Sequence, residues 1–142
     1  MIVLDTTVLV YAVGGEHPLA EPCRRIVDDV AHGRVAATTT VAVIQELVHV
    51  RARRRGRGDA VELGEAFGTL LGPLLVVDDG VLRRGLRLYA DHGSLGAFDA
   101  VLAAAAIGVG ADALISADRA FRGVAGLRHL DPTEWRLPGA DA

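Results

Sequence analysis

Four acidic residues, Asp5, Glu46, Asp99 and Asp118, come from separate segments of a 142-residue chain, and three of them are embedded in apolar sequence. A carboxylate withdrawn from water without a partner is costly, so it shifts its pKa or finds a cation. Arginine could neutralise one or two of the four. A hard divalent cation would serve all of them, and an all-oxygen donor set suits Mg²⁺ or Mn²⁺ rather than zinc. The only cysteine, Cys23, excludes an internal disulfide or a Cys-based zinc site and suggests a reducing compartment. All fifteen basic residues are arginine. The absence of lysine removes a P-loop lysine, a Schiff base and a lysine general base from consideration.

The elements that must position these acids alternate between strand and helix. Ile2-Val3-Leu4 reads as a continuous buried strand ending at Asp5, followed by a helix over Thr7 to Val13 that Thr6 can cap. Pro18 to His32 carries Leu19, Cys23, Ile26, Val27 and Val30 at helical spacing. Val35 to Thr38 reads as a second strand. A helix from Thr40 carries Val43, Ile44, Leu47, Val48 and Arg51, and Asp59 can cap another that reaches Leu71. Leu74 to Val77 is a predicted third strand, Asp79 to Tyr89 a helix, and Ala97 to Val109 an alanine-rich helix with Asp99 in its first turn. Ala113 to Ile115 and Leu127 to Leu130 complete the strands, with the last at an edge. The pattern implies a three-layer α/β/α fold, with a mostly parallel sheet of four or five strands and helices on both faces. With strand order 3-2-1-4-5, Asp5 and Asp118 flank the point where the order reverses, which is where open α/β sheets place their sites. Neighbouring strands are about 4.8 Å apart, close enough for two carboxylates to approach one cation. The expected organisation is one domain over residues 1–137 and a loose tail over 138–142.

Composition narrows the function classes. Apolar residues make up 51% and charged residues 23%, which excludes disorder as the main state. The net charge of −3 is not that of a protein that simply coats nucleic acid. The longest apolar run, Ala100 to Ala111, falls short of the about 20 residues a membrane span needs, and the MIVLD start is no export signal. These features point to a cytoplasmic protein with no membrane partner.

The residues in register go further. Met1-Ile2-Val3-Leu4-Asp5-Thr6-Thr7-Val8-Leu9-Val10, Ile44-Gln45-Glu46-Leu47, Leu95-Gly96-Ala97-Phe98-Asp99-Ala100 and Leu114-Ile115-Ser116-Ala117-Asp118-Arg119 occur in this order over nearly the whole chain. Together they resemble the PIN-domain family and, within it, the VapC toxins of bacterial toxin–antitoxin pairs. The resemblance implies a PIN-like fold and a metal-dependent endoribonuclease that uses Mg²⁺ or Mn²⁺, cleaves cellular RNA and inhibits translation. It aligns Asp5, Glu46, Asp99 and Asp118 with the family's acidic quartet and Ser116 with its small hydroxyl residue, and Thr6 stands beside them as an auxiliary group. It implies that Asp5 and Asp99 hold metal while Glu46 or Asp118 orients water. It also implies a VapB-like antitoxin and a homodimer, and an antitoxin arginine that approaches the acidic pocket. Phe98 stands where the family often has a small residue, and could narrow the approach.

Other features carry two readings each. Arg51 to Arg57 holds five arginines. Arg53, Arg54, Arg55 and Arg57 read either as a solvated helix end or as an RNA phosphate-binding arm. His49 completes a single Glu-x-x-His spacing and reads as structural, as Trp135 reads as a packing anchor. The apolar faces of the first two helices, with Val8, Leu9, Tyr11, Leu19 and Ile26, are expected to receive the antitoxin. The competing functions are a phosphotransferase or phosphohydrolase of another α/β class, and a catalytically silent PIN-like binding module. Haloacid-dehalogenase-like chemistry needs a second Asp at position 7, which is Thr, and a lysine; receiver domains also need a lysine.

Overall fold

The computed structural model describes residues 1–140. Strand β1 (Ile2–Leu4) is wholly buried, as its unbroken apolar run requires. It pairs in parallel with β2 (Ala37–Thr38) on one side and β3 (Ala113–Ile115) on the other, and β4 (His129–Leu130) extends the sheet beyond β3. The order β2-β1-β3-β4 is that of four of the five expected strands. The missing one is a correction. Leu74 to Val77 forms no strand; Leu75 makes a single parallel bridge to Thr40 at the sheet edge. Its backbone is held there by Leu75 N–H on the Thr39 carbonyl (2.9 Å) and by the Thr38 hydroxyl on the Pro73 carbonyl (3.0 Å). Proline contributes no ladder donor, and the next two residues, Val76 and Val77, are exposed.

Helices α1 (Thr6–Val13) and α2 (Ala20–Ala31) connect β1 to β2. Helices α3 (Val41–Arg55), α4 (Arg57–Leu70), α5 (Asp79–Asp91) and α6 (Ala97–Gly108) connect β2 to β3. They pack in sequential pairs, α1 with α2, α3 with α4 and α5 with α6. The chain leaves β1 toward one edge and returns past it to β3, so right-handed crossovers send the two helical connections to opposite faces. The core lies between, with Val3, Leu4, Leu9, Ile26, Leu114 and Ile115 fully buried.

Two caps differ from expectation. Thr6 is not the α1 cap but its first helical residue, and Asp5 holds the cap position without a side-chain capping bond. Asp59 does not begin α4. Gly56, at φ +88°, ends α3 and starts α4 at once, a conformation that glycine adopts without strain. Asp59 instead pairs with Arg51 from the preceding helix. Cys23 is buried, which pushes its thiol up to about 12 and leaves it inert. Trp135 is the expected anchor: it is buried, and its indole N–H donates to Asp29 Oδ2 at 2.9 Å. Residues 138–140 form a turn, whereas 141 and 142 of the expected tail lie outside the described residues.

Candidate active site

The carboxyl ends of β1 and β3 meet at a small hydroxyl cluster. Asp5, 5% exposed, accepts from Ser116 Oγ at 2.7 Å and from Thr7 Oγ1 at 3.1 Å, both on Oδ2. Ser116, fully buried, also accepts from the Asp118 N–H at 2.9 Å, so one hydroxyl ties two of the four acids together. Thr7 accepts from the Ala117 N–H at 3.1 Å and thereby staples α1 to the chain leaving β3. Behind them His129 Nε2 donates to the Ser116 carbonyl at 2.8 Å. Neither Thr7 nor His129 was identified from sequence; a hydroxyl two residues after a strand-terminal Asp was the available signal for Thr7.

Burial raises the Asp5 pKa, the hydrogen bonds from Ser116, the Thr6 backbone and Thr7 lower it, and the nearby Glu46 charge adds to the rise. Asp99, half-buried in the first turn of α6, is pushed up to about 6. The largest cause is burial, followed by the charges of Asp5, Asp118 and Glu46. Asp99 therefore senses the charges of the other three acids. Among the described residues no arginine or histidine forms a salt bridge with any of them.

Glu46 and Asp118 are exposed, although the neighbours of Glu46 in the sequence are apolar. On α3 those neighbours, Val43 and Leu47, occupy the core face and leave Glu46 on the other. Thr6 Oγ1 donates to Glu46 Oε2 at 2.9 Å, which explains why this threonine is not a cap. Asp118 Oδ1 accepts from the Ala120 N–H at 2.9 Å at the start of a single 3-10 turn. Asp99 makes no side-chain hydrogen bond to protein among the described residues. Asp5, Glu46 and Asp99 line one cleft of about 600 Å³ between α3 and α6, with His49 and Gln45 on the α3 wall and Phe98 on the α6 wall. Asp118 lies outside that lining.

The donor set fits a hard dication in kind and charge: four carboxylates, one of them deeply buried, with no protein cation paired with them among the described residues. The fit is open rather than closed, because among the described residues no three metal-binding side chains converge on one point. Thr6 holds Glu46 and the Ala120 amide holds Asp118, so both lean on protein donors.

The four candidate RNA-binding arginines sit where α3 passes into α4, all exposed. Arg53 and Arg57 line a hollow that shares Gln45 and His49 with the acidic cleft. Arg54 instead lines a crevice against Val10 and Val13 of α1. Val8, Leu9 and Ile26, expected to receive a partner, are fully buried in the chain's own core, and Tyr11 stacks on His17 with ring centroids 4.2 Å apart. The Val8, Leu9 and Ile26 side chains are therefore not available for docking, whereas Tyr11 and Leu19 stay partly exposed.

A PIN domain is matched over residues 2–127. Ribonuclease VapC7 of Mycobacterium tuberculosis is 52% identical over 136 residues, covering 93% of this chain and 92% of that protein. Among solved structures, VapBC2 from Rickettsia felis, bound to a DNA fragment from the promoter, superimposes with a TM-score of 0.71. It covers 92% of this chain and 98% of its own at 18% identity, a likeness of fold. The chain belongs to the PIN-domain family, in its VapC group.

Proposed function

We propose that Asp5, Glu46, Asp99 and Asp118 form the catalytic site of a VapC-type ribonuclease toxin that uses Mg²⁺ or Mn²⁺ to cleave cellular RNA. The observation that carries this is the crowding of Asp99 by three other carboxylates, with no salt-bridged cation beside them among the described residues. Phosphodiesters resist hydrolysis because their anionic oxygens repel the attacking oxygen. A divalent cation bound here would neutralise that charge and lower the pKa of water. Asp5 and Asp99 would hold it, at the base and wall of the cleft.

The chain's own groups do the positioning. Ser116 and Thr7 fix Asp5 Oδ2, and His129 fixes the Ser116 backbone from behind. Thr6 orients Glu46 toward the same end of the sheet, where it can align a water molecule by hydrogen bonding. Asp118 offers Oδ2 to the solvent side of the site, since Oδ1 is engaged by the Ala120 amide. Thr7 occupies the place a phosphotransferase would give to a second acid, and its hydroxyl is already committed to Asp5 and Ala117.

The ribonuclease activity follows the named VapC relative at 52% identity, and the same likeness supports a cytoplasmic protein restrained by a VapB-like antitoxin. Among the described residues no helix is long and apolar enough to cross a membrane. Residues 1–137 act as one domain in this reading.

The test is cleavage of total RNA by purified, folded protein with EDTA, Mg²⁺ or Mn²⁺. Cleavage should require the metal, and Asp5→Asn and Asp99→Asn should abolish it. Asp112→Asn is the control, because Asp112 pairs with the N-terminal ammonium at the opposite end of the sheet. Full cleavage by Asp99→Asn, or undiminished cleavage in EDTA, refutes the assignment.

A further inference from the structure

Phe98 exposes 83% of its surface, the largest fraction among the big apolar side chains described. It lies in the first turn of α6, immediately before Asp99, and lines the acidic cleft. An aromatic ring left in water beside a cluster of carboxylates gains nothing from its own fold. Its flat face is a platform for another flat, apolar-faced group.

The opposite wall carries complementary chemistry. Glu46, His49 and Arg53 follow one face of α3 at helical spacing, so Arg53 stands about 10 Å along the axis from Glu46. Arg57, at the start of α4, joins Arg53 on the rim of the adjoining hollow. Among the described residues neither guanidinium has a salt-bridge partner, whereas Arg51 is engaged by Asp59. Gln45 lines the acidic cleft, the basic hollow and the apolar hollow beneath Phe98, so the three are continuous.

We propose that this continuous groove is a track for single-stranded RNA, in which Phe98 stacks a base on one side of the acidic cleft and Arg53 and Arg57 take backbone phosphates on the other. The proposal rests on the ribonuclease reading and deepens it. Only an unpaired strand presents a base face to a side chain at this position. Stacking tolerates every base, and phosphate contacts are blind to sequence, so the track orients the strand and selects single-stranded regions. The arginine run is thereby divided: Arg53 and Arg57 belong to the track, and Arg54 faces α1.

The experiment measures fluorescence anisotropy of a labelled single-stranded RNA of about ten nucleotides, in EDTA, over a range of salt, and cleavage in Mn²⁺ alongside. Phe98→Ala should weaken binding about 5- to 100-fold with the salt slope unchanged, and Phe98→Trp should restore it. The Phe98→Ala loss should disappear on an abasic probe. Replacing Arg53 and Arg57 together with alanine should lower the logarithmic salt slope by about 1.4, at about 0.7 per lost phosphate contact on a single strand. Arg25→Ala, an exposed arginine on α2, should behave as wild type. Melting curves identify any variant that has failed to fold, and the Trp and abasic arms then carry the test for Phe98.

Equal binding of a duplex of the same sequence overturns the proposal, as does an Arg54→Ala effect as large as that of Arg53→Ala. If Phe98→Ala alters self-association or antitoxin binding but leaves RNA affinity unmoved, the ring serves a protein contact and the track is wrong. A wild type that binds the probe but cleaves no RNA refutes the nuclease reading and leaves the track standing. A wild type that cleaves while the variants bind normally refutes the track alone.

Discussion

Replacing Asp99 with asparagine should stabilise the metal-free protein while destroying its response to metal. The carboxyl is raised from the ordinary 3.8 to about 6 by burial and by the charges of Asp5, Asp118 and Glu46. At about 1.4 kcal/mol for each tenfold change, the full shift corresponds to roughly 3 kcal/mol of penalty on the ionised form. Asp99 is only half-buried, and solvent screening reduces this to about 1–1.5 kcal/mol. For a chain of this size that is about 3–6 °C in Tm. The raised pKa sets the pH dependence. Above about pH 6 the folded protein carries the whole penalty; as pH falls from 6 toward 4 the folded state takes up a proton before the unfolded state does, and wild type recovers. Melts in EDTA should therefore find Asp99→Asn more stable at pH 7.5, with the gap shrinking by pH 5. Adding millimolar Mn²⁺ at pH 7.5 should raise the wild-type Tm and move the variant far less, because only wild type keeps the ligand set. If the variant is no more stable than wild type in EDTA, or if the gap persists unchanged at pH 5, Asp99 is not crowded by like charge.

Other perturbations probe the parts that position the acids. Ser116→Ala removes a donor to Asp5 and an acceptor for the Asp118 amide, so it should cost about 1–3 kcal/mol in denaturant melts. It should also move the acid limb of the cleavage pH profile upward, because the Ser116 hydrogen bond lowers the Asp5 pKa. Gly85→Ala on α5 places a methyl 2.8 Å from the Val101 backbone on α6; the about 1 kcal/mol gained in helix propensity is outweighed by overpacking, and a net loss of about 1–2 kcal/mol is expected in the same melts. Trp135→Phe strips Asp29 of its indole donor and should lower stability by about 1–2 kcal/mol without changing cleavage, since this pair lies away from the acidic cleft.

Legibility in the sequence followed how far local rules extend. β1 and its terminal Asp5 were readable because a strand buried on both faces must be continuously apolar, and a polar residue then marks its end. The alanine-rich α6, expected over Ala97 to Val109 and found over Ala97–Gly108, was equally local. Leu74 to Val77 looked just as strand-like, yet β character is decided by a neighbour. Among the described residues the pairing stops at the single Leu75 bridge, and Val76 and Val77 are exposed. Tertiary context also decided what the hydroxyls do. Thr6 and Thr7 are adjacent and chemically equivalent, but one turns to Glu46 on α3 and the other to Asp5 and the β3 exit.

The acids themselves show why residue type carried further than burial pattern. Glu46 stands among apolar neighbours in the sequence, and Asp118 was expected just past the strand that neighbours the one ending at Asp5. Both are exposed, yet both contribute to the shift at Asp99. What matters for chemistry is proximity of charge at the reversal of strand order, which the parallel pairing of β1 with both β2 and β3 enforces. Helix α3 then swings Glu46 over that point, and α6 presents Asp99 from the other wall. The fold thus tolerates a concentration of like charge around Asp99 that costs it stability. Natural proteins keep such arrangements where function depends on them. The same wall of α3 runs on to Arg53, so in the proposed reading the element that brings an acid to the metal side also offers a cation to the RNA laid across it.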